Sequence, residues 1–175
     1  MGAFLFRIAR LNIMGTFVGF ILAHFPFIVP VKKIKQNEKA ISFRHPSPTY
    51  PNHILIIPRK IARTVFYLSD EDFSAITEMA IKIRENDSSD FVLLINGGER
   101  QDVMQAHFHL FTGNLAFQKK LNKEAGLKLL PSRQLFWKEI ASSLHDTLVH
   151  CGVSESSFSM FIQFENNSEP LVYFI

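Results

Sequence analysis

The chain has 175 residues, of which 47% are hydrophobic and 20% are charged, and its formal net charge is +3. This length suits one domain of ordinary size with its own core, and the composition excludes an intrinsically disordered chain. The basic residues form no Lys/Arg block, so there is no nucleic-acid signature, and the single Cys151 excludes both an internal disulfide and a multi-cysteine zinc site.

The amino-terminal segment is unusually apolar. Residues 11–31 carry no formal charge and are long enough to cross a bilayer as a helix of about 20 residues. Pro26 and Pro30 interrupt the last third, and basic residues on both sides favour no orientation. The sequence leaves open a true membrane anchor and a buried or membrane-surface helix over about 17–25. We expect a cytoplasmic location, with membrane association through this segment left open.

Between this segment and residue 113 the pattern predicts five strands and one helix. Ser69 is the expected N-cap of the helix, with Asp70, Glu71 and Asp72 in its first turn, where the helix dipole favours acidic side chains. This order predicts an α+β domain with a mostly antiparallel sheet. The strands are predicted at "FIVPVKKI", "KAISFRH", "HILIIPRK", "FVLLING" and "VMQAHFHLFTG".

The remainder of the chain differs in character. An amphipathic basic stretch precedes a second helix that begins near Pro131 and ends at Gly152. "SFSMFIQFENNSEPLVYFI" predicts a β-hairpin that could either extend the main sheet or pair with a second subunit. We therefore expect an N-terminal segment over 1–16, a domain over 17–113 and an extension over 114–175.

The stretch "QDVMQAHFHL" carries the clearest chemical signal. In a strand, residues two apart point to the same face, so Gln105, His107 and His109 are expected to project together while Ala106 and Phe108 face the core. Such a row could bind a phosphate or a metal, or simply face water.

The motifs around this row resemble the histidine-triad (HIT) superfamily of nucleotide hydrolases and transferases. "PNHILIIPRK" is similar to the first half of its pattern, and "LLINGGERQDVMQAHFHLFTG" to the second half, with Gln105 in place of the first triad histidine. The resemblance implies a HIT-like fold, a mostly antiparallel sheet of about five strands with a long helix, which often dimerises. It also implies that no cofactor or metal is needed.

The resemblance also implies roles for single residues. His107 would be the nucleophile that forms a nucleotidyl-histidine intermediate, since a neutral imidazole nitrogen is available near pH 7. Gln105 stands at the remaining triad position, where an amide cannot shuttle a proton. The residues expected to bind the substrate and its phosphate, besides the triad residue His109, are His53, Asn96 and Gln101, together with two departures from the family pattern: His45 in place of an acidic ribose-binding residue, and Asp102 in place of a serine.

Three functions remain open on the sequence. The first is a HIT-like nucleotide hydrolase or nucleotidyltransferase. The second is a catalytically weak HIT-fold protein that binds nucleotides or acts through interactions, held at a membrane or in a complex. The third is a three-histidine zinc site built from His53, His107 and His109. The expected partners are a nucleotide or nucleotide-like phosphate, with a homodimer and a membrane surface as further options.

Overall fold

The computed structural model describes Ile21 and residues 32–85, 90–101, 103–112, 157–164 and 171–174. Within those residues, no helix has both the length and the apolar character needed to cross a membrane. Apart from Ile21, the predictions for the apolar segment 11–31, for the helices between 114 and 152 and for Asp102 concern positions outside the described residues.

In the described part of the chain, seven strands form one antiparallel sheet, and one long helix packs against it. The helix α1 covers Asp70–Arg84, and a 3-10 helix at Val65–Tyr67 precedes it. The strands are β1 Lys33–Gln36, β2 Ala40–Arg44, β3 Ile54–Pro58, β4 Phe91–Gly98, β5 Phe108–Thr112, β6 Ser157–Phe164 and β7 Leu171–Phe174.

The strand order β1-β2-β3-β5-β4-β6-β7 confirms the antiparallel α+β prediction. The first five strands in sequence belong to the predicted domain, and the carboxy-terminal hairpin β6-β7 adds two more. β6 pairs with β4 along all eight of its residues, from Phe91↔Phe164 to Gly98↔Ser157. Of the two arrangements left open for the hairpin, the structure therefore has the one in which it extends the main sheet.

Helix α1 begins where the sequence predicts. The Ser69 side chain accepts a hydrogen bond from the Asp72 backbone N–H, and the Asp72 carboxylate accepts one from the Ser69 backbone N–H, which forms a capping box. The apolar stripe of α1, which includes Phe73, Ile76 and Ala80, is fully buried. These residues pack on one face of the sheet and form the main core with Ile54, Ile56, Leu93, Ile95, Phe108 and Leu110.

The opposite face of the sheet carries a smaller apolar cluster of Val92, Leu94, Phe111 and Phe161, with Tyr50 packed against it. Because side chains alternate along a strand, the residues that interleave with the α1-facing set point to this second face. Two of the predicted site residues, Asn96 and His109, belong to this alternation, and the ring of His107, just before β5, contacts that of His109.

The strand predicted at "VMQAHFHLFTG" is shorter than expected. It begins at Phe108, and residues 103–107 form bends and irregular backbone. The cause is a second set of partners: the Ala106 N–H donates to the Ala62 carbonyl at 2.7 Å, and the Gln105 side chain also binds the segment at residues 60–62. The prediction that Gln105 continues the strand alternation is therefore wrong.

Candidate active site

The cross-strand register brings the histidines together on the face opposite α1. Leu55 of β3 and Leu94 of β4 both pair with His109. The last pair of β4 and β5 is Ile95↔Phe108, and Asn96 and His107 are the residues next to that pair in the chain. His53 immediately precedes β3, and His45 follows β2, where the His45 N–H donates to the His53 carbonyl at 2.9 Å. Sequence-distant imidazoles therefore share one patch.

His53 and His109 are joined by a hydrogen bond. Nε2 of His53 lies 2.9 Å from Nδ1 of His109, and Nδ1 of His53 accepts from the Thr49 backbone N–H at 3.3 Å. Because Nδ1 of neutral His53 is an acceptor, its proton sits on Nε2 and is donated to His109. Neutral His109 then carries its own proton on Nε2.

His107 is held by its own chain. Its Nδ1 lies 2.7 Å from the Gln105 backbone carbonyl, and the side chain is 9% exposed. A carbonyl can only accept, so Nδ1 carries the proton and Nε2 keeps the lone pair. The ring meets His109 edge to face at 4.9 Å between centroids. The structure thus holds His107 in the tautomer that a nucleophile needs, with His109 beside it.

His45 stacks on His53. The two rings are 4.1 Å apart and within 11° of parallel. Nδ1 of His45 accepts from the Ser47 backbone N–H at 3.0 Å, so neutral His45 carries its proton on Nε2. The position that the family pattern gives to a carboxylate is therefore occupied by a ring that presents an N–H donor.

His53 is kept neutral by its surroundings. Burial, together with repulsion from His45 and His107, lowers the pKa of His53 from its ordinary value of 6.5 to about 3. A buried imidazolium loses its hydration, and neighbouring imidazoles that can also become positive oppose it further. His53 can therefore orient His109 through a hydrogen bond, but it brings no positive charge to the unliganded site at neutral pH.

The side-chain amides of Gln101 and Gln105 form hydrogen bonds with the protein's own main chain. Nε2 of Gln105 donates to the Lys60 carbonyl at 3.1 Å, and its Oε1 accepts from the Ala62 N–H at 3.4 Å. Nε2 of Gln101 donates to the carbonyls of Arg63 and Val103. The amide donor of Gln101 that was expected at the phosphate, like that of Gln105, is engaged with main-chain carbonyls, so both side chains hold the segment at residues 60–63.

Asn96 has a partner that the sequence did not reveal. Its Oδ1 accepts a hydrogen bond from Oγ of Ser159 on β6 at 2.7 Å. Ser159 is 1% exposed and pairs directly with Asn96 in the sheet. Tyr50 is a second such residue, since its ring lies 5.5 Å from that of His53 and stacks on Phe111. No local motif marks either residue, because each reaches the site through strand pairing or loop packing.

A metal ion does not suit this hydrogen-bond pattern. His45, His53 and His109, rather than the expected trio with His107, bring one ring nitrogen each within 4.8 Å of one another. A metal on Nε2 of His53 would move the proton to Nδ1, where the Thr49 N–H already points as a donor. The same conflict exists between His45 and the Ser47 N–H. The donor set favours a hydrogen-bonded cluster.

Comparison with known families bears directly on this arrangement. The model of the HIT domain matches residues 28–115, which is half of the chain and contains the whole histidine patch. The chain belongs to the HIT family.

Its relatives support this assignment. An uncharacterised HIT-like protein of Helicobacter pylori is 29% identical over 91 residues, which cover 49% of this chain and 88% of that protein. An uncharacterised HIT-like protein of Azospirillum brasilense is 32% identical over 99 residues, covering 49% and 77%. A solved HIT family hydrolase of Clostridium thermocellum is 24% identical, with a TM-score of 0.50, over 55% of this chain and 89% of that one. This structural likeness shows the fold.

Most residues of the candidate site lie inside the region matched by the HIT-domain model, and one lies outside it. The histidines, Asn96 and both glutamines lie inside it, whereas Ser159 lies in the hairpin beyond residue 115. The structure brings His45, His53, His107 and His109 into one ring cluster, with Asn96 on the neighbouring strand. The HIT domain of this chain is thus completed along β4 by residues that the family model does not cover.

Proposed function

We propose that this HIT-family chain is a nucleotide hydrolase or nucleotidyltransferase that acts through a covalent intermediate on His107. The observation that carries the proposal is the bond from Nδ1–H of His107 to the Gln105 main-chain carbonyl, which leaves the lone pair on Nε2. A ring whose proton is fixed on one nitrogen offers the other as a nucleophile without prior deprotonation.

The reaction would proceed in two displacements. Nε2 of His107 attacks phosphorus, an N–P bond forms, and the bond from phosphorus to the leaving oxygen or nitrogen breaks. A water molecule, or another acceptor hydroxyl or phosphate, then attacks phosphorus, and the N–P bond breaks to restore the ring. The two outcomes correspond to hydrolysis and to nucleotidyl transfer.

The neighbouring histidines would position this chemistry. A chain of hydrogen bonds runs from the Thr49 N–H to His53 and from His53 to His109. It fixes the proton of each ring on Nε2, so His109 presents its Nε2–H as a donor. Because Gln105 holds the segment at residues 60–62, its contribution is the main-chain carbonyl that orients His107. The leaving group must then take its proton from His109 or from solvent, since an amide cannot supply it.

A second candidate function has its own support. Neutral His53, and amides of Gln101 and Gln105 that bind the protein itself, leave fewer donors and less positive charge for a transition state. These features favour a HIT-fold protein that binds nucleotides with weak or absent catalysis. Association with a membrane or with a second subunit would be compatible with either function.

The deciding experiment is the intact mass of the protein after brief exposure to nucleoside phosphoramidates, dinucleotides and UDP-sugars. The reaction is quenched at neutral pH because phosphohistidine is labile in acid. We expect a nucleotidyl mass increment in the wild type and none in His107→Ala, whereas His109→Ala should still form the adduct, at a reduced rate. A folded wild type that acquires no increment from any substrate would refute the covalent mechanism and favour the binding protein.

A further inference from the structure

The carboxy-terminal hairpin reaches the candidate site through one buried serine. Ser159 pairs with Asn96 across β6 and β4. Asn96 follows Ile95, whose partner in β5 is Phe108, the residue after His107. Directly opposed residues of antiparallel strands point to the same face, so the Ser159 and Asn96 side chains share a row. This row connects the hairpin to the residue of β4 that follows the last β4–β5 pair, next to His107.

The hydrogen bonds in this row have a defined direction. Nη1 of Arg100, in the turn after β4, donates to Oγ of Ser159 at 3.4 Å. Oγ of Ser159 in turn donates to Oδ1 of Asn96 at 2.7 Å. Since Oγ already accepts from Arg100, its proton is directed to the amide oxygen, which sets the orientation of the carboxamide. A planar carboxamide whose oxygen faces β6 turns its Nδ2 away from β6, to the β5 side.

We infer that Ser159 is a positioning residue of the active site, which acts through Asn96 by turning its amide N–H donors toward a phosphate bound at His107. This inference rests on the proposed phosphate-binding function and extends it to a segment outside the HIT-domain match. A buried hydroxyl is suited to this task, because it holds one amide orientation without adding a charge that would compete with the phosphate.

The test is a double-mutant cycle on Ser159 and Asn96, with AMP and inorganic phosphate as probes in calorimetric titrations. We expect Ser159→Ala to weaken binding of both probes about fivefold, as one oriented hydrogen bond would. In the Asn96→Ala background the same substitution should have no further effect, because the residue through which Ser159 acts is gone. Ser157→Ala, an exposed serine on the same strand, is the matched control and should leave binding unchanged.

Equal weakening by Ser159→Ala in both backgrounds, or none in the wild type, would overturn the inference. If Ser159→Ala fails to fold, Arg100→Gln removes the donor at the start of the chain and should weaken binding in the same direction, again only when Asn96 is present. Binding that depends on Ser159 in a protein without a His107 adduct would support the inference while refuting the covalent mechanism. A wild type that binds neither probe would overturn both.

Discussion

Nε2 of His53 lies 2.9 Å from Nδ1 of His109, although the two residues are 56 positions apart in the sequence. The pairing of β3 with β5 accounts for this proximity, since Leu55, two residues after His53, is the strand partner of His109. The consequence is that each ring carries its proton on a defined nitrogen, Nε2 in both His53 and His109.

The protein should become less stable as the pH is lowered, because of His53. Its folded pKa of about 3 lies below its ordinary value of 6.5, so the unfolded chain binds more protons between these values. The contribution to the free energy of unfolding is complete above pH 6.5 and is lost as pH falls toward 3. We expect a loss of about 2 kcal/mol between pH 7 and pH 5 from this residue.

Urea unfolding at pH 5, 6 and 7 measures this loss, and His53→Gln should flatten the dependence by that amount. His45→Gln is the control: it removes only a secondary cause of the low pKa, so most of the pH dependence should remain. An identical slope in the wild type and His53→Gln would contradict the prediction.

Gly97 should not tolerate a side chain. It pairs with Phe158 of β6, and a Cβ at Gly97 would overlap the Phe158 ring. That ring is 2% exposed and meets Phe66 edge to face, so it has little room to move. We expect Gly97→Ala to lower the free energy of unfolding by about 1–3 kcal/mol.

A thermal or urea unfolding series on Gly97→Ala, Phe158→Ala and the double variant tests this explanation. Because the clash disappears with the ring, the double variant should be more stable than the sum of the two single losses predicts. Strict additivity would show that the cost of alanine at this position has another origin.

Gln105 should prove important for stability. Its side chain joins the Lys60 carbonyl and the Ala62 N–H while 1% exposed, and Gln105→Ala leaves both groups without that partner. We expect a loss of about 1–3 kcal/mol in the free energy of unfolding. Gln36→Ala, on an exposed strand, is the control and should change it by less than about 0.5 kcal/mol. Equal effects of the two substitutions would remove the structural role assigned to Gln105.

The capping box of α1 offers a matched pair of serines. Ser69→Ala removes the side chain that accepts from the Asp72 N–H and should cost about 1 kcal/mol. Ser74→Ala lies inside the same helix, where alanine has the higher helix propensity, and should be neutral or slightly stabilising. Urea denaturation followed by circular dichroism compares them, and a larger loss for Ser74→Ala would refute the capping argument.

Local patterns sufficed to predict much of this fold. Alternation and β-branched runs predicted the strands that became β2, β3 and β4, and Ser69 with its acidic neighbours predicted the start of α1. These features depend on interactions within a few residues, so they can be read from the sequence. The family resemblance, confirmed by the HIT-domain match, predicted a site at histidines that the structure brings together.

Contacts between distant segments could not be predicted in the same way. Strand β5 begins only at Phe108, because Gln105 and Ala106 form hydrogen bonds with a segment more than 40 residues away in the sequence. The stacking of His45 on His53 and the bond from Ser159 to Asn96 require the register of paired strands. Hydrogen bonds to such distant partners can override the local preference for a strand, and the local sequence does not indicate where they form.

The pairing of β6 with β4 determines how copies of this sheet can associate. Within the HIT-matched region β4 would be an outermost strand, with a row of backbone N–H and C=O groups open to another chain. Here the chain's own hairpin occupies that row along its whole length. Among the described strands, the outermost are instead β7 and the four-residue β1, whose exposed Lys33 and Lys35 oppose strand addition by charge repulsion. Another chain therefore cannot continue the sheet at β4, beside the candidate site, without displacing this hairpin.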